Sequence, residues 1–306
     1  MSYAVEVKQL HKKFGSVHAL NGLDLNIPTG STFGLVGPNG AGKTTLFSII
    51  AGYLQKTSGS VVVLGGEVRG EKLRGRVGVL PQDALWRKGL DVKSQLTLCA
   101  RLQDMDKTRA SEEVSRVLHL TGMQDYARTL PEKLSHGMAK RIAISQALIG
   151  DPELVMLDEP LAGLDPAQAH RIRTLIQEQS GKRTFVISSH IMADIETLCS
   201  HVAIIKAGKI VAQPSLADLT KREAMVVFTL SDTPEKVLSK PFEAMSFVTG
   251  VEVRQVEKKL QISVDISQKN LDEAVAQFIK VLSEKGTSFV GIQKGTSLED
   301  AFLKMT

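Results

Sequence analysis

The stretch GPNGAGKT, Gly37 to Thr44, constrains this chain more than any other, because it fits G-x-x-x-x-G-K-[ST] at every required position. It follows the apolar run FGLV (Phe33 to Val36) and precedes a predicted helix from about Gly42 to Ala51. That context, strand then glycine loop then helix, separates a phosphate-binding loop from a chance match. Glycines let backbone N–H groups wrap phosphate oxygens, a lysine neutralises the terminal phosphates, and the hydroxyl of Thr44 can ligate Mg²⁺. The predicted cradle comprises Gly37, Pro38, Asn39, Gly40, Ala41, Gly42, Lys43, Thr44 and Thr45.

A loop of this kind needs a buried parallel sheet behind it. FGLV, VGVL (Val77 to Leu80), LVML (Leu154 to Leu157) and FVIS (Phe185 to Ser188) are short, almost wholly apolar runs separated by helical segments, as expected of strands covered on both faces. Before them, VEVKQL (Val5 to Leu10), SVHAL (Ser16 to Leu20) and LDLNI (Leu23 to Ile27) read as alternating strands. After them, VAIIKAGKIVA (Val202 to Ala212) reads as a hairpin turning at Ala207-Gly208. A polar stretch between about Pro214 and Glu223 marks a boundary, which places a first domain at 1–220 and a small α+β domain at 221–306. The second is predicted as a strand (Met225 to Leu230), a helix from Pro234, two strands (Val251 to Val256, Leu260 to Val264), a helix (Leu271 to Glu284), a strand (Phe289 to Gln293) and a last helix from Leu298.

Two further motifs carry chemistry. LVMLDEP ends a buried strand in Asp158, placed to hold a metal shell, and Glu159, placed to polarise a water. Adjacent carboxylates also serve as helix caps, and it is the phosphate loop that gives this pair its functional reading. In KLSHGMAKR (Lys133 to Arg141), Ser135 reads as the N-cap of a helix that runs toward Gly150. Such a start is a phosphate seat, with Gly137 allowing close approach, yet nothing beside it holds the rest of a nucleotide. No NKxD segment occurs, which disfavours guanine recognition.

Phosphate loop, then L-S-x-G at a helix start, then an apolar strand ending in Asp-Glu, in this order, resembles the ATP-binding subunits of ABC transporters. The likeness spans Val5 to Leu219, roughly two-thirds of the chain. It implies an α/β fold: a P-loop NTPase domain with a parallel core sheet, an antiparallel β subdomain and a helical subdomain, here with the small α+β domain appended. It also implies Mg²⁺-ATP hydrolysis in a head-to-tail dimer, each ATP sandwiched between the phosphate loop of one subunit and the signature helix, Ser135 and Gly137, of the other. The second subunit is identical or homologous, and a separate integral membrane permease is the driven partner. By the same resemblance Gln82 in VLPQ sits at the Q-loop position near metal and water, and Glu159 is the general base. Leu164 and Asp165 match the D-loop, His190 the switch histidine, and Phe14 the aromatic that stacks on adenine. Structural readings stand beside these: a strand-capping Gln82, a satisfied structural His190, a core Phe14, and an Asp165-Pro166 pair that is a good helix start in any case. His136 and Met138 depart from the family's glycine and glutamine.

The wording of KLSHGMAKRIAISQALIGDPELVMLDEPLAGLDP, and the ending GTSLEDAFLKMT, look most like ATPases paired with ABC-2 type exporters. A soluble ATPase switch acting on a protein or nucleic-acid complex is the alternative. Trp86, the only tryptophan, follows Gln82 and suits either docking on a membrane subunit or core packing. The charge excess is small, 38 Lys plus Arg against 33 Asp plus Glu, without a basic run, so no nucleic-acid partner is expected. Residues 221–306 hold twelve charges of each sign, so the excess belongs to the first domain. Apolar stretches fall far short of the roughly 18 residues that cross a bilayer, and the N-terminus lacks an apolar signal core. The expected location is the cytoplasm, peripheral on the inner face of the membrane. Cys99 and Cys199, in no metal-ligand spacing, read as buried thiols.

Overall fold

The computed structural model describes residues 2–82, 86–215, 225–230, 239–256, 259–266, 271–284 and 288–294. The chain forms two compact units, Met1–Ser215 and Leu216–Thr306.

In the first unit, an antiparallel sheet joins β1 (Tyr3–Phe14), β2 (Val17–Pro28), β4 (Ser58–Val63) and β5 (Gly66–Glu67) in the order β2-β1-β4-β5. The two strands expected at Ser16–Leu20 and Leu23–Ile27 are one: Gly22 takes φ 67, and pairing with β1 continues through register shifts. β4 escapes the sequence pattern because its first three residues are exposed and only Val61 and Val63 are buried in the core.

The second sheet carries the site. Its order is β10-β9-β3-β8-β7-β6, from β3 (Thr32–Val36), β6 (Val77–Leu80), β7 (Leu154–Asp158), β8 (Thr184–Ser188), β9 (His201–Lys206) and β10 (Lys209–Ala212). β3, β6, β7, β8 and β9 are parallel, and every residue of β3, β7 and β8 is buried. β6, at the edge, buries only alternate residues, so its apolar run is covered less than the pattern suggested. β9 and β10 form the expected hairpin, with Ala207 and Gly208 at φ 48 and 74, the left-handed pair that a two-residue turn demands. The Gly208 N–H donates to the carbonyl of Ala41 at 2.9 Å, tying the hairpin to the phosphate loop.

Around this sheet lie α1 (Lys43–Ile50), α5 (Pro166–Gln179) and α6 (Met192–Leu198), while α2 (Val92–Arg101), α3 (Lys107–Leu120) and α4 (His136–Ala147) pack together as a helical layer. Caps set the starts. Asp91, Asp106, Ser135 and Asp165 each accept a hydrogen bond from the backbone N–H three residues on, satisfying a donor that the helix leaves unpaired. α4 is held against α3 at its C-terminal end: Thr121 and Ser145 hydroxyls lie 2.7 Å apart, and Arg116 donates to the Leu148 carbonyl at 2.9 Å.

α4 also seats directly on β6. A Cβ on Gly78 would lie 1.7 Å from the carbonyl oxygen of Ala147 and 3.1 Å from Pro152. Backbone cannot yield as a side-chain tip does. Gly78→Ala is therefore expected to destabilise the first unit by about 3 kcal/mol or more, read as a lowered urea midpoint. A loss under about 1 kcal/mol would contradict this packing.

The second unit is an antiparallel sheet, β12-β13-β11-β14, built from β11 (Met225–Leu230), β12 (Val248–Val256), β13 (Lys259–Ile266) and β14 (Phe289–Lys294). α8 (Leu271–Glu284) buries Ala274, Phe278 and Leu282, one face at helical spacing, and Phe278 meets Phe228 and Phe242 edge-on at 5.8 and 5.3 Å. Of the helix expected from Pro234, the described part is α7 (Ser239–Glu243). The polar boundary after Ser215 and the helix expected from Leu298 lie outside the described residues.

Candidate nucleotide site

At the carboxyl ends of the parallel strands lies a cleft of about 590 Å³. This is where open α/β sheets place their ligands. Asn39, Gly40, Gly42, Lys43, Thr44 and Thr45 line it from the phosphate loop, joined by Gln82, Asp158, Glu159 and His190. Gly37, Pro38 and Ala41 belong to the same loop but are not part of the cleft lining.

The loop's glycines are required by close approach. A Cβ on Gly37 would stand 2.2 Å from the Ile205 carbonyl oxygen, and one on Gly42, at φ 108, would stand 2.7 Å from that of Ala19. The loop is thus wedged between β9 and β2. Lys43 is buried, and its ammonium donates to the carbonyls of Gly37 at 2.6 Å and Pro38 at 3.1 Å. Two of its three donors are used within the loop, and one is left for a ligand. Burial lowers the Lys43 pKa, opposed by Glu159 and Asp158. An anionic ligand restores the balance in favour of the charged form.

Asp158 ends β7 and is 4% exposed. In register beside it, Ser188 ends β8 and donates its hydroxyl hydrogen bond to the Asp158 carboxylate. Burial raises the Asp158 pKa despite that bond. Its oxygens, the Thr44 hydroxyl and the Gln82 amide are hard donors. Glu159 follows at φ 49, a left-handed conformation that non-glycine residues seldom adopt. Its N–H donates to both the Ser188 carbonyl and hydroxyl at 3.2 Å, which fixes the turn. Its carboxylate Oε1 lies 2.9 Å from His190 Nδ1. The Glu159 side chain is 14% exposed and that of His190 55%, so the pair has a sheltered base and an accessible imidazole. Such a pair can accept a proton from water and hold the acceptor in place.

Other predicted residues sit elsewhere. The hydroxyl of Ser135 accepts from the Met138 N–H at 3.3 Å, and Gly137 is buried against α5, where a Cβ would meet Gln168 Oε1 at 2.1 Å. Neither Ser135 nor Gly137 lines the cleft of its own chain; His136, between them, and Lys140, one turn further along α4, do. Phe14 ends β1 half exposed, with the Lys12 ammonium 4.8 Å from its ring centroid, and is outside the lining. Val17, His18 and Ala19 of β2 occupy that end of the cleft instead. Sequence reasoning missed these three, together with Lys140 and Ala162, because a strand's alternation does not say which residue faces a ligand. Trp86 is half buried. Cys199 is buried and Cys99 partly so, both as free thiols whose pKa burial raises. Among the described residues no helix is long and apolar enough to cross a membrane, and no cluster of three or more His, Cys, Asp or Glu could hold a metal alone.

Comparison with known proteins places this geometry among relatives. The family profile described as "ABC transporter" matches residues 20–162. The chain is 31% identical to the linearmycin resistance ATP-binding protein LnrL of Bacillus subtilis, over 99% of this chain and 98% of that one. It is 32% identical to the bacitracin transport ATP-binding protein BcrA of Bacillus licheniformis, over 100% of this chain and 98% of that one. Among solved structures, cbiO1 from Clostridium perfringens, part of the ABC transporter complex cbiONQ, matches with TM-score 0.63 and 28% identity, over 71% of this chain and 90% of that chain.

Proposed function

The chain belongs to the ABC transporter family as an ATP-binding subunit with ATPase activity, and on that premise we propose that it works in a head-to-tail dimer that drives a separate membrane permease outward. The observation that carries this reading is the Glu159–His190 pair, 2.9 Å apart, in the same cleft as the buried Lys43 ammonium. In this proposal the loop Gly37 to Thr45 and Lys43 hold the phosphates of ATP. Glu159 takes the proton of the attacking water, while His190 holds Glu159 and faces the γ-phosphate. Ser135 and Gly137 of the mate close the site. Ser135 and Gly137 do not line their own chain's cleft, although His136 between them does, and Ser135 is exposed, which leaves it open to a second copy.

Thr44, Asp158 and Gln82 would hold Mg²⁺, as their hard oxygens suit it, with the remaining positions left to phosphate and water. The ion, when bound, neutralises charge on the phosphate oxygens. Phe14 and the strand start Val17–Ala19 are assigned to the adenine end. Residues 1–220 are assigned as the ATPase domain and 221–306 as an accessory domain.

Export, and a place on the cytoplasmic face of the membrane, are supported by the two full-length relatives, whose names concern antibiotic resistance and transport. The test is fractionation of the tagged chain from its native cells, with Mg²⁺-ATPase measured in each fraction. The expected result is activity in the membrane fraction, released by detergent together with an integral membrane protein. Activity confined to cytosol and raised by a soluble ligand would instead favour the ATPase switch.

A further inference from the structure

The first turn of α4 presents two neighbouring residues to different places. Ser135 caps the helix, whereas the His136 side chain lies along the cleft, its Nε2 3.4 Å from the carbonyl oxygen of Ala162. Ala162 belongs to the loop from Glu159 to Asp165, and its own N–H donates to the Glu159 carbonyl at 3.4 Å. One turn of backbone therefore separates the imidazole contact from the residue that pairs with His190. The next residue, Gly163, takes φ 74, and a Cβ there would stand 3.2 Å from His136 Nε2. The ring thus rests on a glycine that leaves room for it. At the far end of the same loop Asp165 caps α5, whose Gln168 packs on Gly137.

A glycine at position 136 would make none of these contacts. We propose that His136 is a positioning residue: its Nε2–H, donated to the Ala162 carbonyl, clamps the loop 159–165 to the start of α4 and so fixes the backbone that aims Glu159. The proposal rests on the reading of this cleft as an ATPase site. It assigns His136 no contact with the reacting atoms. Its loss is accordingly felt in turnover rather than in nucleotide affinity.

The test compares the full chain with His136→Gly and His136→Gln, measuring steady-state ATPase against Mg²⁺-ATP concentration and, separately, thermal unfolding. Glutamine places an amide N–H at a reach similar to Nε2 and keeps the donor. Expected is a fall of about five- to tenfold in kcat for His136→Gly, the scale of one lost hydrogen bond, with KM within about twofold. His136→Gln is expected to retain kcat within about twofold, and all three proteins to unfold at the same temperature. An unchanged His136→Gly, a His136→Gln as slow as the glycine variant, or a change carried wholly by KM or by unfolding overturns the clamp while the parent's turnover upholds the ATPase reading. A parent without turnover overturns both.

Discussion

Glu159→Gln is expected to slow ATP turnover by roughly 100- to 10,000-fold, the range that a positioned general base supplies, while nucleotide binding stays within about twofold. The substitution is nearly isosteric. Its amide oxygen can still accept from His190 Nδ1, which stands 2.9 Å from Glu159 Oε1, and the backbone turn at φ 49 is held by Ser188 whatever the side chain. What is lost is the ability to take a proton. Phosphate release under saturating Mg²⁺-ATP, with binding followed by a fluorescent ATP analogue, separates the two quantities. Turnover within tenfold of the parent would move the base to another residue.

Lys43→Ala is expected to weaken ATP binding by about 10- to 100-fold, the scale of a charge-assisted hydrogen bond, and to lower turnover by about 100- to 1,000-fold. The ammonium has two tasks. It holds the loop through the Gly37 and Pro38 carbonyls, and it presents its remaining donor toward the cleft. Alanine removes the side-chain donor from both carbonyls, leaving that of Pro38 only the Ala41 N–H at 3.2 Å, and it removes the positive charge that offsets the phosphates. Lys43→Arg is expected to restore little, because a planar guanidinium cannot reproduce the compact contacts of an ammonium held at 2.6 and 3.1 Å. Equilibrium binding of ATP to the three proteins checks this, and a Lys43→Ala protein that binds as tightly as the parent would show that backbone N–H groups alone suffice.

How much of this was legible in the sequence depends on the reach of each interaction. The N-caps at Ser135 and Asp165 and the hairpin at Ala207-Gly208 rest on residues within four positions of one another, and the phosphate loop on eight consecutive residues, Gly37 to Thr44, so spacing alone identifies them. β3, β7 and β8 were legible because burial on both faces leaves an unbroken apolar run; the edge strand β6 read the same way but is only half covered. The Glu159–His190 pair spans 31 residues. It exists because β7 and β8 align Asp158 with Ser188, and register between distant strands is not written in either segment. The role of His190 comes from family resemblance, whereas that of Glu159 is also readable from the carboxylate pair ending an apolar strand. Val17, Ala19 and Ala162 carry no distinguishing chemistry, and His18 lies in a strand whose alternation does not single it out. His136 was visible only as a departure, and its partner Ala162 contributes a backbone carbonyl, which no side-chain pattern reveals.

The most direct measurement of the composite site is the mass of the Glu159→Gln chain in solution, by sedimentation or light scattering, with and without saturating Mg²⁺-ATP. The prediction is a single chain without nucleotide and a dimer with it, the dimer being lost when Ser135 is replaced by a bulky Phe at the exposed start of α4. A Glu159→Gln chain that binds ATP and still sediments as one chain, alone and beside any companion subunit, would contradict the sharing of each nucleotide between two copies.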